Sequence, residues 1–127
     1  MDEMFAEFEF NEVSEYTIQE VNGVPVPQDY LEFMSRHNGG EGNVGENSYM
    51  QLVKLEELEK FNRDYQISEY LSGIFIFGTD LGGMLFGYDS KKGLYCSIDS
   101  CSLGEEDIIY AGRTFEEFAE EMDKGNL

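Results

Sequence analysis

Residues 74–98 constrain the fold more than any other stretch of this 127-residue chain. Ile74-Phe75-Ile76-Phe77 is a continuous apolar run too short for a helix, so it reads as a buried central strand. Thr79-Asp80-Leu81-Gly82-Gly83 is a turn, and Met84-Leu85-Phe86-Gly87-Tyr88 is the returning strand. Asp89-Ser90-Lys91-Lys92-Gly93 turns the chain again, into the alternating strand Leu94-Tyr95-Cys96-Ser97-Ile98. A parallel connection needs a dozen or more residues, so turns this short force an antiparallel meander. Residues 49–53 (YMQLV) read as a further strand, and residues 108–111 (IIYA) as an edge strand. That makes a sheet of about five strands.

The helical signals flank this sheet. In residues 27–42 (PQDYLEFMSRHNGGEG), Pro27 suits the first helical turn, and Asp29 sits where the helix dipole favours a carboxylate. Tyr30, Leu31, Phe33, Met34 and His37 recur at helical spacing, and Asn38-Gly39-Gly40 tolerates the left-handed φ that ends a helix. About eleven residues do not hold a helix in isolation, so this one must dock on a larger surface. Leu55, Leu58 and Phe61 mark a second short helix, with Glu56 paired to Lys60 at i, i+4. Thr114 and Glu117 form a capping box that opens a final helix, whose inner face is Phe115, Phe118, Ala119 and Met122. The glycine-rich residues 39–48 read as a polar loop. Residues 1–26 leave alternatives open: Phe8 and Phe10 fit a strand as well as a helical face, and residues 16–21 could enter an Asn22-Gly23 hairpin turn. The expected architecture is a single α+β domain over residues 1–127, an antiparallel meander with helices on one face and at the ends.

Charge excludes more functions than any motif does. Twenty-seven acids against eight bases give a formal net charge of −19, and the first basic residue is Arg36. Such a field repels nucleic-acid phosphates and anionic membranes and speeds encounter with a basic protein. The expected partner is therefore a basic protein, with no nucleic acid and no membrane. The N-terminus is acidic and lacks signal-peptide order, and no apolar run approaches a membrane span, so a cytoplasmic location is expected.

No catalytic pattern stands out. His37 is the only histidine and lies on the apolar stripe, which favours packing over base chemistry. Cys96 and Cys101 have no second pair to complete a zinc site, and nothing basic lies near them to lower a thiol pKa. Asp80, Asp89 and Asp99 fall at turns, where Asp bonds the local backbone; Asp80 and Asp89 as paired carboxylates are the weaker alternative. The glycine-rich loop lacks the Gly-Lys-Ser/Thr of a phosphate loop. No catalytic, cofactor or metal residues are assigned. Tyrosine beside carboxylates makes a good surface for a basic protein, which singles out Glu41, Glu46, Tyr49, Asp80, Tyr88 and Tyr95 as candidate partner-binding residues.

The pattern Pro-x-Asp-Tyr-x-x-Phe followed by Asn-Gly-Gly, at Pro27 to Gly40, resembles the signature helix of the SUKH superfamily, the Smi/Knr-like proteins. The resemblance continues through residues 52–65, 74–89 and 115–118. Relatives often carry a Trp near the second helix, and this chain has none. The resemblance implies an α+β fold, an acidic helix within residues 11–22 feeding a short linker before Pro27, and a non-catalytic protein-binding module. It implies a bacterial immunity protein that neutralises a toxin, possibly a nuclease, or alternatively a regulatory scaffold like the fungal cell-wall regulators.

Overall fold

The computed structural model describes residues 2–46 and 48–127. The strands are β1 (Glu9–Phe10), β2 (Glu20–Val21), β3 (Val24–Pro25), β4 (Gly40–Val44), β5 (Ser48–Leu52), β6 (Ile74–Thr79), β7 (Met84–Asp89), β8 (Leu94–Asp99) and β9 (Ile109–Gly112). The α-helices are α1 (Gln28–His37), α2 (Leu58–Asp64), α3 (Ile67–Tyr70) and α4 (Phe115–Asp123). Seven strands form one antiparallel sheet in the order β1-β4-β5-β6-β7-β8-β9, and β2 and β3 form a separate hairpin. The meander from β6 to β9 follows the turns the sequence marks.

Four expectations change, three of them in single elements. The sheet has seven strands rather than about five, because residues 40–44 are a strand rather than part of a polar loop. Their glycines serve close approach: a Cβ on Gly40 would lie 2.2 Å from the Glu9 carbonyl oxygen, and one on Gly42 would lie 2.6 Å from that of Glu7. They let residues 7–10 lie against β4 as an edge. The helix expected within residues 11–22 is absent. Residues 11–18 are irregular, and Asn22 (φ 49°) and Gly23 (φ 89°) turn the β2–β3 hairpin. Two successive positive φ values are what a tight hairpin turn demands, so the Asn-Gly turn read from the residues forms and the helix implied by the resemblance does not. Lys60 pairs with Asp64 at 2.8 Å instead of Glu56, which accepts from Asn38 at 3.0 Å.

Alternation along the strands divides the core into two clusters. Phe75, Phe77, Phe86 and Tyr95 point to one face, where they meet Tyr30 and Phe33 of α1 and Phe115 and Phe118 of α4. Phe5 and Phe8 of the N-terminal segment join them, Phe5 lying 5.0 Å from Phe33. Ile74, Ile76, Leu85, Cys96 and Ile98 point to the other face, under Ile67 of α3 and the nearby Leu71. Helices thus lie on both faces rather than one. The α3 cover does not reach β4 and β5, whose inward residues Val44, Met50 and Leu52 belong to the first cluster.

Two polar side chains tie elements together. Asp29, in the first turn of α1, accepts from the Tyr95 hydroxyl of β8 at 2.7 Å and from the Phe115 N–H opening α4 at 2.6 Å. It also accepts from the Tyr30 N–H at 2.9 Å. Asn62 of α2 is buried and stands in for a missing neighbour strand at β6: its amide accepts from Ile76 N–H at 2.7 Å and donates to Ile76 C=O at 2.9 Å. Thr114 caps α4 by accepting from Glu117 N–H at 3.1 Å, while Glu117 reaches back to Arg113 N–H at 3.2 Å.

Asp29→Ala leaves the buried Tyr95 hydroxyl and the Phe115 N–H without an acceptor, and is expected to cost about 2–4 kcal/mol in urea unfolding. Asp29→Asn, which retains one acceptor oxygen, should cost less. The Tyr95 hydroxyl is held well above its ordinary pKa by burial and then by the bond to Asp29, and Tyr30 is raised by burial. Below about pH 10 these phenols are neutral in both states; above it the unfolded chain's tyrosines ionise while Tyr30 and Tyr95 stay neutral in the fold, so stability falls as pH rises above about 10. Phenolate absorbance should show Tyr30 and Tyr95 ionising only with unfolding; their titration in the folded chain would contradict this packing.

Candidate interaction surface

The part of the sheet that α3 leaves open carries two of the six candidate residues, Glu41 and Tyr49. Glu41 and Asn43 of β4 and Tyr49 and Gln51 of β5 alternate with the buried Val44, Met50 and Leu52, so they face outward on the uncovered side. Registration places Asn43 opposite Tyr49 and Glu41 opposite Gln51. On the outer edge β1 sets Glu9 directly opposite Glu41. The Tyr49 hydroxyl donates to Glu41 Oε2 at 2.5 Å, and Asn43 Nδ2 donates to Glu7 Oε2 at 3.0 Å. Glu7, Glu9, Glu41, Asn43 and Tyr49 surround an open hollow of about 420 Å³. The bond to Glu41, with smaller contributions from desolvation and the Glu41 and Glu9 charges, raises the Tyr49 pKa. The phenol stays a donor at neutral pH.

The other candidates divide. Asp80 borders a second hollow with Tyr49, beside Ser48 and Phe86, and its carboxylate accepts from Gly82 N–H at 2.7 Å and Met84 N–H at 3.0 Å. Glu46 is exposed in the β4–β5 turn, and its N–H donates to Asp123 at 3.2 Å. Tyr88 is half-buried on the opposite face, edge-on to Tyr95 at 5.0 Å. Tyr95 is fully buried and drops out as a contact residue; its hydroxyl serves Asp29 instead. Glu7 and Glu9 are the members that sequence reasoning missed. Their signal was the alternation Glu7-Phe8-Glu9-Phe10, which places two acids opposite two rings once it is read as a strand.

The weaker chemical alternatives find no support in the geometry. Asp80 and Asp89 stand at opposite ends of the β6–β7 ribbon, since Asp89 is registered with Ile74 and Thr79 with Leu85. Asp89 is buried and accepts from the Lys91 N–H at 2.9 Å and the Tyr110 hydroxyl at 2.9 Å. Cys96 is buried and its thiol is pushed up to about 12, by burial and then by the Asp89 charge, which is the reverse of an activated nucleophile. His37 stacks on Phe10 at 3.8 Å and lies 4.9 Å from Phe33, within the packing of the N-terminal segment.

The family model for SMI1/KNR4 (SUKH-1) matches residues 15–121. The chain belongs to the SUKH-1 family. At family level this is a non-enzymatic interaction module. No curated protein matches the chain. No helix among the described residues is long and apolar enough to cross a membrane. In this SUKH-1 domain the open face has two sources: Glu41 and Tyr49 lie inside the matched segment, whereas Glu7 and Glu9 lie before it.

Like charges directly opposite across a strand pair oppose folding. Glu9→Gln is therefore expected to raise the thermal midpoint by about 1–2 °C at low salt, with the gain shrinking as salt is added. A lowered midpoint in differential scanning calorimetry would contradict the registered Glu9–Glu41 pair.

Proposed function

We propose that this SUKH-1 domain is an immunity-type binding module, which neutralises a basic toxin by covering its functional cleft. The observation that carries the reading is the uncovered sheet face, where Glu7, Glu9 and Glu41 surround Tyr49 with no Lys or Arg lining the hollow. Nuclease domains fit such a face because their substrate clefts are basic. A carboxylate surface attracts such a cleft at long range, and tyrosine adds contact area at close range. A chain of net charge −19 has no electrostatic reason to bind the toxin's nucleic-acid substrate itself. Activity in the cytoplasm, where an imported toxin acts, belongs to the same proposal. Glu46 and Asp80 extend the acidic field beyond the hollow.

The test is capture from native host lysate at low salt, elution at high salt, and identification by mass spectrometry. A single basic, toxin-like protein released by salt is the expected result. Glu41→Lys combined with Glu9→Lys should then slow association at least tenfold and flatten its salt dependence. An unchanged association rate would remove this face from the interface, and several unrelated cytoplasmic proteins in the eluate would replace the immunity reading with a scaffolding one.

A further inference from the structure

We propose that the groove between the β2–β3 hairpin and the α2–α3 corner is a binding site for a small apolar carboxylate. The groove has a volume of about 510 Å³, within the range that takes a small ligand. It lies away from the acidic sheet face and shares none of its residues.

Its lining departs from the acidic composition of the chain. None of the fourteen residues lining it is Asp or Glu, although 27 of the chain's 127 residues are acidic. Its one charged residue is Arg63, which is exposed and forms no ion pair among the described residues. A guanidinium in that state accepts a carboxylate through two parallel N–H bonds. The floor is apolar: Val21, Ile67 and Leu71 are each 1% exposed and Ile74 is 3% exposed. Above this buried floor, half-buried Val24 and exposed Pro25 supply the accessible apolar wall for an aliphatic body, and the hydroxyl of the exposed Ser68 adds a donor at the rim.

Backbone geometry explains why the groove exists. Gln66, at φ 55°, takes a left-handed conformation that stops α2 and restarts the chain as α3. The corner puts Ile67 and Leu71, four residues apart, beneath the groove while Arg63 remains on the preceding helix. Across from them, Asn22 of the hairpin turn donates to the Glu59 carbonyl at 3.2 Å and holds the opposite wall. The ligand class follows from this combination: an aliphatic body for the floor, and one carboxylate for Arg63. A cation gains nothing from the groove, even though the chain as a whole attracts it.

The experiment titrates the full chain with sodium octanoate and follows amide shifts by two-dimensional NMR. Expected are saturable shifts confined to Val21, Gly23, Ile67, Ser68 and Gly73, with a Kd of about 1 mM for so small a ligand. Arg63→Gln should weaken binding about fivefold to tenfold, and Ser68→Asp, which puts a carboxylate on an exposed rim position, should abolish it. Octylammonium should spare the groove, and Glu41→Lys should leave octanoate binding unchanged, which separates this site from the acidic face. Absence of groove shifts at about ten times that concentration overturns the proposal, as does unaltered affinity in both groove variants. Tighter binding of the free-acid tripeptide Gly-Gly-Leu than of octanoate overturns it in favour of a peptide terminus.

Discussion

The Asp29 carboxylate is the junction on which the packing of this domain depends. It lies in the first turn of α1, yet two of its bonds reach residues 66 and 86 positions away. A helix of ten residues has little stability of its own, and α4 has nine. Both are fixed at their N-terminal ends by one acceptor, where each helix presents unsatisfied N–H groups and the positive end of its dipole. Tyr95 completes the arrangement from the sheet. Around this point the rings of Tyr30, Phe33, Phe77, Phe115 and Phe118 pack mostly tilted or edge-on, with centroid separations from 4.8 to 6.0 Å among the closest pairs. A single carboxylate thereby orients the helices, and the aromatic contacts supply the bulk of the burial.

The parts of the fold written in local chemistry were legible. Short turns fixed the meander, the Thr114–Glu117 pair located α4, and the spacing of Tyr30, Phe33 and Met34 located α1 and its buried face. What escaped was set by distant backbone. The glycines of residues 40–42 look like loop residues because nothing local shows that another segment lies against them. The N-terminal segment is legible only after that surface is known, since Phe5 and Phe8 have no local partner beyond each other. Tyr95 was misplaced for a related reason: an alternating strand cannot say which face meets a carboxylate from a helix 66 residues earlier. Asn62 gave no signal at all, because a side chain that substitutes for a strand looks like any exposed helical Asn.

Electrostatics and core are separable in this molecule. The described surface ion pairs are few, and each lies between well-exposed groups or helical neighbours, so they add little to stability. The acids instead bond backbone or stand together, as at Glu9 and Glu41. A net charge of −19 opposes compaction. The aromatic core offsets that repulsion, and the remaining charge is available at the surface for association.

The attachment of the N-terminal segment places anchoring and presentation on opposite sides of one short stretch. Phe5 and Phe8 are 3% and 7% exposed and hold it to the core, while Glu7 and Glu9 point to solvent. Side chains at positions 7 and 9 can therefore change in charge, length or shape without altering a single core contact. The face has one half set by β4 and β5 within the segment that matches the family, and another half set by residues that precede that segment. Two domains with the same core could carry different outer strands, and would then differ in what they present while folding alike.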